Sequence, residues 1–130
     1  MIGVRRRTDE QPCGVPGDDG EIPTKVRDET FLLEVTCKLA RIKHEVGDAF
    51  TVEHIFPTPM LYMQCWIDLL SLPGIYIVTW DNCRYTLDVR HRQMMVTNCV
   101  WLVAISRDCR GSKLHRHYEI GWGAGQGPAK

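Results

Sequence analysis

The chain has 130 residues, of which 44% are hydrophobic and 25% charged, and its 16 Lys and Arg balance 16 Asp and Glu for a formal net charge of +0. That length suits one domain with its own core and is short for two. The composition excludes a low-complexity chain, no apolar run approaches the ~20 residues of a membrane span, and no overall charge draws the chain to nucleic acid.

In chain order, residues 1–27 carry RRR, PCGVPGDDG and IPTK, with three Pro and four Gly. They read as a flexible N-terminal segment. Asp28 is placed as an N-cap, and behind it Leu32, Val35, Leu39, Ile42 and Val46 recur at spacings of three and four. That predicts one face of a helix over 28–46, stopped by Gly47. Ala49 to Glu53 alternates like a strand. Thr58 and Pro59 predict the cap and first position of a second helix through Met60, Met63, Trp66, Ile67 and Leu70, ended by Pro73 and Gly74. IYIVTW (75–80) predicts a strand buried on both faces, and QMMVT (93–97) another. Asn98 is expected to cap a short helix through Val100, Leu102, Val103 and Ile105, and the glycine-rich 119–130 reads as a disordered tail. Helices alternating with apolar strands predict an α/β layer over 28–118 with a small, mostly parallel sheet flanked by helices.

Four groups of side chains could carry chemistry. Glu53, in DAFTVEHIFPTP, ends a predicted strand where a parallel sheet would place a ligand; a surface acid at a strand end is the plainer alternative. Cys13, after Pro12, is a nucleophile if nearby cations lower its pKa, and Arg5 to Arg7 are near in sequence; otherwise it is a loop thiol. Arg90 and Arg92 stand two apart before a strand and would project to one side, as two phosphate or carboxylate contacts require, or as an exposed basic loop. Cys109, His115 and His117 are zinc-type ligands, with Cys83 or Cys99 available as a fourth. The N-terminus has no signal-peptide pattern and the six cysteines form no CxxC pair, so the expectation is an intracellular chain with free thiols or metal ligands. Residues 84–117 hold seven Arg or Lys against Asp88 and Asp108, about +5 by difference, a face that could meet phosphate.

Taken together, these residues resemble the catalytic domain of the cytosine-5 DNA methyltransferases, most closely the divergent relatives carried by phages and mobile elements. In that family a Pro-Cys pair supplies the nucleophile, a later strand ends in Glu-Asn-Val, and an Arg-x-Arg leads into a further strand. Here Pro12-Cys13, Val52-Glu53-His54 at 40 residues' distance, and Arg90 with Arg92 stand in those places. Thr97-Asn98 and Cys109, His115 and His117 resemble the ending of the divergent members. The resemblance covers roughly residues 11 to 118, and implies a Rossmann-like parallel sheet, an S-adenosylmethionine cofactor and a flipped DNA base as substrate. The chain departs from the family at Gly14-Val15-Pro16, at His54-Ile55 and at Thr86, and it shows no glycine-rich strand–turn–helix for the methyl donor.

The sequence therefore reads first as a truncated or degenerate methyltransferase-like domain, inactive alone. Cys13, Glu53, Arg90 and Arg92 would be remnants of a nucleotide site, with DNA, or a second chain holding the missing half, as partner. The alternative is a non-enzymatic module that binds nucleic acid or protein, with a C-terminal zinc site. A third is a structural fragment.

Overall fold

The computed structural model describes residues 6–85 and 92–108, and the backbone of 117–118 and 128–129. Its elements are α1 (Thr24–Glu45), β1 (Thr51–Ile55), a 3-10 helix (Pro59–Tyr62), α2 (Gln64–Leu70), β2 (Tyr76–Asp81), a 3-10 turn (Asn82–Arg84), β3 (Arg92–Thr97), a 3-10 helix (Val100–Ile105), and the two-residue strands β4 (His117–Tyr118) and β5 (Pro128–Ala129). They divide into a helical unit, Met1–Phe50 with Thr58–Ile75, and a sheet unit, Thr51–Pro57 with Tyr76–Lys130.

In the helical unit α1 begins at Thr24 after Pro23, four residues before the Asp28 cap that the sequence predicts. The reason is a second stripe. Val26, Thr30, Leu33, Cys37, Ala40 and His44 also recur at three and four, and this stripe is the buried or half-buried one. It needs a helix that is already turning at Val26. Cys37 and Ala40 are small, so α2 packs close against them, and its Trp66 and Leu69 are fully buried with Met60 and Met63 beside them. The Trp66 indole Nε1–H is buried without an acceptor among the described residues. Thr58 caps at the expected position, its hydroxyl oxygen accepting from Met60 N–H at 3.2 Å, but it opens only a 3-10 helix, and the single helix predicted from Pro59 to Leu70 is interrupted at the extended Met63 before α2 begins.

The far end of α1 closes with a Schellman motif. Gly47 (φ +81°) donates to the His44 carbonyl at 3.1 Å, and Asp48 donates to the Lys43 carbonyl at 2.9 Å. Lys43 and His44 lie in that last turn, where the helix dipole favours positive charge.

The sheet corrects the prediction. It has three strands in the order β1-β3-β2, and both ladders are antiparallel, so the mostly parallel, Rossmann-like sheet is overturned. Strands β1 and β2 do run the same way, which is what alternating helix and strand signals report. The interval between β2 and β3, however, is ten residues. A parallel crossover needs roughly a dozen or more, usually with a helix, so β3 returns antiparallel and inserts between the other two. As the central strand it is the one covered on both faces: Met94, Met95, Val96 and Thr97 are all buried. The expectation of two-sided burial for 75–80 fails at Tyr76 and Ile77, which are exposed.

Residues 106–108 line the outer edge of β2. Trp80 bridges Arg107, Asp81 N–H donates to the Arg107 carbonyl at 2.8 Å, and the Ser106 hydroxyl donates to the Thr79 carbonyl at 2.9 Å. β4 and β5 form a separate two-stranded antiparallel ladder.

Candidate functional site

Cys13 sits exposed in a hydrogen-bonded loop of the helical unit. Arg7 organises that loop. Its guanidinium donates to the Pro12 carbonyl at 2.8 Å, the Val26 carbonyl at 2.9 Å and Thr30 Oγ1 at 2.6 Å, and lies 3.6 Å from Glu29. The Thr30 hydroxyl in turn reaches the Cys13 carbonyl at 3.1 Å. Arg7 thus ties the backbone just before Cys13 to the first turns of α1 at Val26 and Thr30, which is clamp geometry. Gly14 follows with φ +133°, and a Cβ there would meet Ile22 at 2.7 Å and Val26 at 2.9 Å.

Glu53 and Arg92 belong to the sheet unit, on opposite faces of it. Glu53 stands directly across from Met95, whereas Arg92 shares the alternate face with Met94 and Val96. Glu53 is exposed in the middle of an antiparallel edge strand, and so does not occupy the C-terminal end of a parallel strand. Arg92 pairs with Asp108 at 3.0 Å and lies over the Phe56 ring at 5.4 Å. Cys83 is buried in the turn after β2. Thr97 is buried, its Oγ1 3.4 Å from Thr51 Oγ1 and accepting from Cys99 N–H at 3.0 Å, so it shapes the entry to the last 3-10 helix. The N-cap of that helix is Cys99, one residue after the Asn98 cap that the sequence predicts, and the Cys99 side chain makes no cap hydrogen bond.

Arg90, Cys109 and His115 lie outside the described residues, and His117 is described by its backbone alone. Among the described residues no group of three or more His, Cys, Asp or Glu is placed to hold a metal. The described part of the sheet unit carries Arg84, Arg92 and Arg107 against Glu53, Asp81 and Asp108, three charges of each sign. No described helix is long and apolar enough to cross a membrane.

Two further features of the helical unit were not singled out as sites in the sequence. Cys37, on the inner stripe of α1, donates its thiol to the Cys65 carbonyl at 3.1 Å. Burial first, and then the nearby Cys65, push the Cys37 thiol up to about 12. Burial raises Cys65 as well. Both are protonated at neutral pH and poor nucleophiles.

The second feature is the outer stripe of α1. Leu32, Leu39, Ile42 and Val46 are 62%, 58%, 55% and 66% exposed, with Phe31 exposed beside them and Val35 half-buried between them. These are the residues whose spacing marked the helix in the sequence. The structure buries the opposite stripe and leaves this one to solvent. The signal that distinguishes the two was present. The outer set is uniformly apolar and mostly large, as in a helix-pairing seam, while the inner set, equally spaced, places the small Cys37 and Ala40 where close packing within the unit needs them.

The chain matches no protein-family model, no curated protein and no solved structure.

Proposed function

We propose that this chain is a non-enzymatic protein-binding module whose contact surface is the outer face of α1. The observation that carries the reading is that face. Its large apolar side chains are more than half exposed on a helix whose other side is already packed. Contiguous exposed apolar surface of this kind marks interaction sites in folded chains. A further observation supports it. Glu53 and Arg92 stand on opposite faces of the sheet, so they do not converge on one reacting group.

The test is the stability of Leu39→Gln and Ile42→Gln in urea at high dilution. Exposed positions tolerate such changes within about 0.5 kcal/mol, whereas truncating a buried Leu or Ile costs about 2–5 kcal/mol. A near-zero cost supports a docking face. A cost in the core range would make the stripe part of the chain's own interior and sink the reading. In parallel, calorimetric titration of S-adenosylmethionine should give no binding; micromolar binding would bring methyl-transfer chemistry forward instead.

A further inference from the structure

The same face specifies its occupant, and this step rests on the reading just given. With Leu32, Leu39 and Val46 at the a positions of a heptad and Val35 and Ile42 at d, the flanking positions are Thr36 and Lys43 at e, and Lys38 and Glu45 at g. The buried Cys37 and Ala40 and the half-buried Leu33 fall at f and b, on the side away from the seam. Lys38, Lys43 and Glu45 are all exposed.

These charges discriminate between ways of pairing two copies. In a parallel pair each g residue meets the e residue of the next heptad across the seam, which sets Lys38 against Lys43 on both sides. In an antiparallel pair g meets g and e meets e. Stacking Leu39 on the partner's Ile42, and Val35 on the partner's Val46, gives four apolar layers. That register sets Lys38 against the partner's Glu45 twice and Thr36 against the partner's Lys43 twice, with no like-charge contact at those positions. Glu45 already lies 3.2 Å from Arg41 in an exposed pair, and such pairs are weak enough to share a second cation.

We propose that the chain self-associates through α1 as an antiparallel, two-fold pair of helices in this register. A C2 interface is self-complementary by construction. A seam of two heptads is short for a free-standing coiled coil, which wants about three or four. Here α1 is already held helical by the core on its other side, so pairing does not have to fold it.

Sedimentation equilibrium over a wide concentration range tests this with the full chain. The expected result is a reversible monomer–dimer equilibrium that Leu39→Gln weakens by about tenfold or more. Lys38→Glu tests the orientation. In the antiparallel register it sets Glu against the partner's Glu45 and weakens the dimer. In a parallel pair it would meet Lys43 and strengthen it. The double exchange Lys38→Glu with Glu45→Lys restores the complementary charge and should recover the original affinity. Strengthening by Lys38→Glu, or no effect, overturns the proposed register.

A monomer at every concentration overturns self-association. Hydroxyl-radical labelling of that monomer then separates the two readings. Fast labelling of Leu32, Leu39 and Ile42 leaves a binding face for a different protein. Slow labelling means another part of the chain covers it, and the protein-binding reading falls too.

Discussion

The clearest contrast at the scale of single residues is between two thiols of the helical unit. Cys13 is exposed in its loop, and Cys37 is buried against α2 and donates to the Cys65 carbonyl. An alkylating reagent at pH 8 should therefore modify Cys13 in the native chain and spare Cys37 until the chain unfolds, a difference that peptide mass mapping reads directly. The pH dependence has a defined sign. The folded state holds the Cys37 proton more tightly than the ordinary thiol value of 9.0, with its pKa pushed up to about 12. Its contribution to stability is thus complete below about 9 and is lost as pH rises towards about 12. Across that window the urea midpoint of the native chain should fall relative to that of Cys37→Ala, and below it the two should run parallel. A constant difference up to the alkaline end would mean that the thiol is not desolvated. The sequence singled out Cys13 by its neighbours but could not tell that Cys37 is buried, because burial is set by which face of α1 turns inward.

Among the elements, α1 shows how far pattern alone reaches. Its existence and its stop at Gly47 were legible from the 3-4 spacing and the glycine, but its start and its buried face were not. Two apolar stripes share one helix, and periodicity cannot say which of them meets the core. Size could have helped, since Cys37 and Ala40 permit a close neighbour where Leu39 and Ile42 do not. The capping glycine gives a graded test. At Gly47 an added Cβ meets nothing within 4 Å, so Gly47→Ala should cost only the left-handed backbone penalty, about 1–2 kcal/mol. At Gly14 the backbone is also in the positive-φ region, and the Cβ would in addition crowd Ile22 and Val26. Overpacking of that kind costs about 1–3 kcal/mol more, so Gly14→Ala should be the more damaging change by denaturant unfolding. Equal costs would mean that the loop around Cys13 yields freely, against the clamp that Arg7 makes of it.

On the scale of the whole molecule, strand positions were legible and strand directions were not. Residues 49–53 and QMMVT (93–97) both read as strands, and β1 and β3 overlap them, yet their pairing depends on the ten-residue return between β2 and β3, too short for a parallel crossover. That loop length was visible, but the alternation of helices outweighed it in the prediction. Glu53 moves from a strand end to the middle of an edge strand because β1 runs on to Ile55, paired with Gln93 of β3, which a motif-by-motif reading could not foresee. Native-state hydrogen exchange should reflect the central place of β3. Its amides, bonded into ladders on both sides, are expected to open only with global unfolding, while outward-facing amides of β1 exchange sooner. Equal protection of both strands would mean that something covers the outer edge of β1.

The position of β3 also governs the order in which the sheet can assemble. β1 and β2 are made first along the chain but share no ladder, and Thr51 must wait for Thr97, 46 residues on. Until β3 docks, each of the earlier strands offers two open edges, and closing so long a loop makes that wait slow relative to local helix formation. A lesion in β3 therefore does not shorten the sheet by one strand. It leaves no sheet, and it frees two apolar, β-branched strands at once to template aggregation.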